Sequence, residues 1–122
     1  MRIARLQNLD LQKRTLNYAG RIATLCTALP DKKQPQIIAA QLFRSGTSVG
    51  AHVAEANRAK SRADFISKME GAMQELEETG YWIDLPIHLN FVRAQRLAPL
   101  IRETDEIMAI LVAMVSRSRR NS

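Results

Sequence analysis

Residues 44–65 read RSGTSVGAHVAEANRAKSRADF. Two glycines, Gly46 and Gly50, stand four residues apart where the apolar residues recur at helical spacing. A glycine weakens a helix interior by about 1 kcal/mol relative to alanine. Small residues four apart share one face, so they thin the helix there and let another backbone approach closely. That packing is the expected compensation. A helix break at Gly46 is the alternative, but the apolar spacing continues undisturbed on both sides. The stretch closes on Arg58, Lys60 and Arg62. Ser61-Arg62-Ala63-Asp64 has capping-box spacing, with Asp in place of the preferred Glu. One helix therefore ends here, a basic loop follows, and a second helix begins.

Outward from this point the chain divides into four helical segments, approximately 8–29, 36–57, 62–85 and 93–117. No stretch alternates with period two, so no sheet is expected. In the first segment Leu11, Tyr18, Ile22, Leu25 and Leu29 fall on one stripe, with Leu9, Leu16, Ala19, Ala23 and Cys26 on a second stripe beside it. Pro30 stops this helix, and Pro35 sits in the first turn of the next, where its missing N–H costs little. The second segment presents Ile38, Leu42, Ser45, Val49, Val53 and Ala56 to the core, with Ala39, Gly46, Gly50 and Ala54 on a neighbouring stripe. The third carries Phe65, Met69, Met73, Leu76, Gly80 and Ile83, and Pro86 sets its expected end near Leu85. The fourth carries Leu97, Ile101, Thr104, Met108, Leu111 and Val115. Ile107, Ile110 and Met114 widen its apolar arc to roughly 200°, beyond the stripe of about 100° typical of a surface helix. Pro99 kinks this segment or marks a later start. With short connections, the expectation is a single all-α domain over 1–122, an antiparallel up-down-up-down four-helix bundle.

With 46% hydrophobic and 25% charged residues, the composition is that of a globular chain. No run of 18 apolar residues provides a membrane span. The N-terminus lacks a signal-peptide pattern. A lone Cys26 cannot form an internal disulfide and suits a reducing compartment, so the expected location is cytoplasmic. The net charge is +6, but it is unevenly distributed. Residues 1–68 hold 12 Lys/Arg against 4 Asp/Glu, whereas residues 69–92 hold five acids and no base. A basic chain invites an acidic partner, nucleic acid first. Solubility alone is the simpler reading of the same charge.

Enzymatic signatures are missing. His52 and His88 have no companions at metal-ligand spacing, and zinc needs three or four ligands. Glu75, Glu77 and Glu78 lack a partner acid or nucleophile. Ser45-Gly46-Thr47-Ser48 is rich in hydroxyls, but it lacks the GxxxxGK[ST] phosphate loop. The methionines at 69, 73, 108 and 114 have core spacing. The expectation is a non-enzyme without cofactor or metal.

Residues 41–85, QLFRSGTSVGAHVAEANRAKSRADFISKMEGAMQELEETGYWIDL, resemble the four-helix-bundle family of 23S rRNA intervening-sequence proteins. The resemblance rests on Arg44-Ser45 with Thr47-Ser48, Ala54-Glu55-Ala56, Ser61 with Asp64-Phe65, and Glu75 followed by Glu78-Thr79-Gly80-Tyr81-Trp82. Pro86 and Pro99 depart from the family's pattern. The resemblance implies a bundle assembled into a ring-like homopentamer without known enzymatic activity. A similar fold occurs in the accessory variability protein of diversity-generating retroelements, a basic pentamer that binds nucleic acid and works with a reverse transcriptase. A homo-oligomer, nucleic acid and a reverse transcriptase or other protein are thus the partners it suggests.

Within the sequence itself, surplus apolar surface argues for assembly. The expected interface residues are Gly46, Gly50, Trp82, Leu85 and Ile110. An up-down-up-down bundle also places the loop after the second helix beside both chain termini. Arg58, Lys60 and Arg62 would then gather with Arg2, Arg5, Arg117, Arg119 and Arg120 at one end, a basic surface suited to phosphate backbones. Few aromatics are free for base stacking, so the expected binding has low sequence specificity. A structural or protein-interaction scaffold that does not touch nucleic acid is the second reading.

Overall fold

The computed structural model describes residues 2–121, with side chains from Gln7 onward. Four helices make up the fold: α1 (Arg2–Ala28), α2 (Lys33–Ala56), α3 (Arg62–His88) and α4 (Ala94–Arg120). Each runs antiparallel to its neighbours, as cross-links between them establish. Moving along α1 from Thr15 to Ile22, the facing glycine on α2 moves back from Gly50 to Gly46. Arg44 meets Glu78 while His52 meets Gly71, which reverses α3 against α2. Gln7 meets Arg117 while Arg14 meets Glu103, which reverses α4 against α1.

The boundaries correct the sequence reading at several points. α1 begins at Arg2 rather than near residue 8, and α2 begins at Lys33 rather than 36. Pro35 lies in the first turn of α2, where helix geometry leaves N–H groups unpaired in any case. The larger difference is at Pro86. α3 does not stop at Leu85 but carries Pro86 in its last turn and ends at His88. Its stop signal is Asn90, whose φ of 62° is left-handed. The Asn90 N–H reaches the Ile87 carbonyl at 3.0 Å, and the Phe91 N–H reaches the Pro86 carbonyl at 2.8 Å. These two bonds form a Schellman motif, which asparagine tolerates in place of glycine. α4 likewise accommodates Pro99 within its length. The start of α3 is as the sequence implies. The Ser61 hydroxyl accepts the Asp64 N–H at 3.0 Å, and the Asp64 carboxylate accepts the Lys60 N–H at 3.2 Å.

The first stripe of α1 (Leu11, Tyr18, Ile22, Leu25 and Leu29) and the core stripe of α2 (Ile38, Leu42, Ser45, Val49, Val53 and Ala56) are wholly buried, whereas Leu9 and Leu16 of the second α1 stripe are exposed. In α4 the core turns slightly from the expected stripe, burying Leu100 and Ile107 and leaving Ile101 and Met108 half-buried. Four buried hydroxyl residues, Thr15, Ser45, Thr79 and Thr104, lie among the apolar side chains. Each has a hydrogen-bond partner, since an unmet buried hydroxyl costs about 1–3 kcal/mol. Ser45 Oγ donates to the Gln41 carbonyl and lies 2.9 Å from Thr79 Oγ1. Tyr18 Oη lies 2.7 Å from Thr104 Oγ1.

The glycines have separate roles. A Cβ added at Gly46 would lie 2.9 Å from both Cγ atoms of Ile22, and one at Gly50 would lie 3.3 Å from Thr15 Oγ1. These two positions let α1 approach α2 within the subunit. Gly46 is buried against Ile22 of its own subunit, where the sequence reading expects an oligomer contact. Gly71 makes the corresponding space on α3 for the His52 ring.

This packing leads to three expected outcomes. Gly46→Ala lowers stability in urea denaturation by a net amount on the order of 1 kcal/mol, because overpacking outweighs the gain in helix propensity. Gly80→Ala, whose Cβ meets nothing within 4 Å, instead raises stability by up to about 1 kcal/mol. The third outcome concerns Tyr18, whose phenol is pushed up to about 12, chiefly by burial. The folded state prefers the neutral phenol, so this stabilisation is complete below about pH 10. It is lost as pH rises through about 12. Tyr18→Phe costs about 1 kcal/mol at neutral pH and removes this alkaline loss, as read by denaturation at pH 7 and above pH 10.

Candidate nucleic-acid interface

The five-residue connection between α2 and α3 is held against the start of α1. The Asn57 amide donates to the Gln12 side chain and to the Asn8 carbonyl. The end of α4 is tied to the same region. Arg117 donates to Gln7 Oε1 at 3.2 Å, and Arg119 donates to Glu70 at 2.6 Å. The α2–α3 loop, the start of α1 and the end of α4 therefore share one end of the bundle.

Arg58, Lys60 and Arg62 are all exposed there. None pairs with a carboxylate among the described residues. Asp64, the nearest acid along the chain, directs a carboxylate oxygen to the Lys60 backbone. Glu55 lies 3.4 Å from His52 Nδ1, and that nitrogen has no hydrogen-bond partner. The C-terminal arginines differ from one another. Arg120 is exposed and unpaired among the described residues, Arg117 holds a neutral glutamine, and Arg119 is neutralised by Glu70. Arg117, Arg119 and Arg120 also lie in the last turn of α4, where cations complement the helix dipole. The side chains of Arg2 and Arg5 lie outside the described residues; their backbone belongs to the first two turns of α1.

The sequence reading missed Lys13 and Lys68. Lys13 follows Gln12, which touches the loop, and lines a groove with Ala51 and Ala54. Lys68 lies less than two turns after Arg62 on α3. Helical spacing from the loop was the available signal for both. Among the described residues no group of His, Cys, Asp and Glu could hold a metal ion, and no helix is long and apolar enough to cross a membrane.

The other expected contact residues lie elsewhere. Trp82 and Leu85 are half-buried and pack against the core rather than forming a bare outward patch. The Trp82 indole donates to Glu78 at 2.8 Å, and Glu78 also receives Arg44. Arg44 approaches Glu75 as well, at 3.6 Å. Ile110 lines a groove between α1 and α4 with Leu11, Met114 and Arg117. Gly50 lines a larger groove between α1 and α2, flanked by the exposed Leu9 and Leu16.

Residues Arg44, Ser45, Glu75, Glu78, Thr79 and Trp82 thus form one lock between α2 and α3, and they lie within a longer stretch that matches a known family. The family model described as 23S rRNA-intervening sequence protein matches residues 7–113. The chain belongs to this family. A crystal structure of a protein of unknown function from the S23 ribosomal protein family of Bacteroides thetaiotaomicron VPI-5482 is similar at 32% identity. The match covers 89% of this chain and 97% of that one, with a TM-score of 0.83. No curated protein matched the chain. Arg44, Ser45, Glu75, Glu78, Thr79 and Trp82, which carry part of the family resemblance, are therefore accounted for by helix packing, and the basic end of the bundle lies outside that lock.

Proposed function

We propose that the protein is a non-enzymatic, basic homo-oligomer that binds DNA or structured RNA through phosphate contacts with low sequence specificity. The observation that supports this reading is the end of the bundle where Arg58, Lys60 and Arg62 stand exposed without acidic partners among the described residues. Arg117 and Arg120 lie at the same end. Lysine and arginine on a phosphate backbone displace condensed counterions, so affinity depends steeply on salt. The arginines add bidentate donors that suit phosphate oxygens. No exposed aromatic accompanies them in the loop, so base stacking contributes little and sequence is weakly read.

Self-association is the second part of the proposal, with the homopentamer implied by the family resemblance as its form. Leu16 is 71% exposed, Tyr81 59%, Phe43 52% and Leu9 48%. Monomers rarely leave large contiguous apolar patches in water. Cyclic repetition would multiply the field of the basic end and raise its avidity for a polyanion.

The test is a binding titration with duplex DNA and structured RNA from about 50 to 200 mM salt, where several phosphate contacts produce a large loss of affinity. Replacing Arg58, Lys60 and Arg62 together with alanine is expected to weaken binding and lower the salt slope by about 0.9 for each duplex phosphate that is no longer neutralised. Absence of binding at low salt, or an unchanged slope in the triple variant, contradicts the assignment. Light scattering on the same samples reports the mass, and a monomer at micromolar concentration contradicts the assembly.

A further inference from the structure

α1 and α4 are joined at the waist of the bundle by polar contacts. Arg14 grips Glu103 through two nitrogens, at 2.8 and 2.6 Å, and Tyr18 meets Thr104. Toward the end remote from the basic loop the seam opens into a groove of about 300 Å³. Its floor is apolar, with Leu25, Leu97 and Leu100, and Arg21 and Arg96 line its sides. Both arginines are exposed, and neither has a carboxylate at ion-pair distance among the described residues.

A complementary feature exists on α3. Of its glutamates, Glu70 is occupied by Arg119, and Glu75 and Glu78 by Arg44. Glu77 and Asp84 remain exposed and unpaired among the described residues. They stand four residues before and three after Tyr81, which places all three on one outward stripe. Tyr81 is 59% exposed, and its ring is held edge-on by Trp82 at 5.1 Å and 80°. The stripe is thus an aromatic side chain in a set orientation between two carboxylates about 10 Å apart along the helix.

We propose that the Glu77–Tyr81–Asp84 stripe of one subunit docks in the Arg21–Arg96 groove of a second copy of this chain. This rests on the self-association reading above and names the surfaces that meet. Charge complementarity selects the occupant: two unpaired cations flank an apolar floor, and two unpaired anions flank an apolar ring. Tyrosine and arginine dominate interface hot spots, and arginine forks match carboxylates bidentately. The two surfaces lie on different flanks of the subunit, so the contact is head-to-tail. Repeating it generates a ring, or a filament if the rotation does not close.

Charge reversal tests the pairing, with mass read by light scattering and helicity by circular dichroism. The variants R21E/R96E and E77R/D84R are each expected to dissociate while remaining helical. The quadruple variant, with both faces reversed, is expected to reassemble. Tyr81→Ala is expected to raise the dissociation constant about thirtyfold, the effect of losing a hot spot. A wild-type monomer overturns self-association itself. A wild-type oligomer whose mass survives both reversals leaves self-association standing and overturns this contact. A quadruple variant that stays dissociated also overturns the pairing. Weaker nucleic-acid binding by R21E/R96E at unchanged mass reassigns the groove to phosphate and likewise overturns it.

Discussion

Ser45 and Thr79 bring two hydroxyls within 2.9 Å in the buried seam between α2 and α3. Each hydroxyl also has a carbonyl of its own helix within reach, Gln41 for Ser45 and Glu75 for Thr79, so what the pair adds is a buried polar contact between the helices that exists at one register only. The surrounding contacts preserve that register from outside. Arg44 reaches Glu75 and Glu78, and the Trp82 indole shares Glu78. Further along, the His52 ring lies against the bare backbone of Gly71. With α2 set against α3 on one side, Gly46 and Gly50 allow α1 to settle closely on the other. The most distinctive residues of the chain are thus architectural.

The fourth helix is placed under weaker constraint. Its contact with α1 is a polar waist, and grooves open on both sides of it. The Arg14 guanidinium holds the Glu103 carboxyl below its ordinary range, so the ion pair persists into mildly acidic solution. Arg14 is 36% exposed, however, and an ion pair at that depth contributes little stability by itself. Its value is positional: the waist sets where the two grooves lie and keeps arginines at their edges.

The same division of roles explains the charge distribution. Three glutamates of the acidic segment are occupied inside the subunit by Arg44 and Arg119. What reaches solvent from α3 is a narrow stripe, whereas the α2–α3 loop retains its cations uncompensated. Net charge along the chain therefore overstates the acidity of the middle segment, of which Glu77 and Asp84 remain unpaired among the described residues.

Several features were legible in the residues alone. The stripes of α1 and α2 identified their buried faces because a helix repeats every 3.6 residues whatever it packs against. Ser61 and Asp64 marked the start of α3 because a cap is a local bond. Short loops then required antiparallel neighbours and placed Arg58, Lys60 and Arg62 beside the termini. Other features depended on the assembled bundle. Pro86 reads as a stop in the sequence, but a proline in a last turn is tolerated when a left-handed Asn90 closes the helix beyond it. Gly46 and Gly50 mark a thin helix face in the sequence, but that this face receives α1 depends on which helices are neighbours. Trp82 looked outward on a helical wheel and is drawn inward by Glu78 and the core. Sequence by itself determined the elements, their order and the basic end, since these follow from local periodicity and chain connectivity. The tertiary structure decided which charges remain unpaired and which apolar residues remain uncovered, because pairing and burial are properties of side chains that meet across helices far apart in sequence.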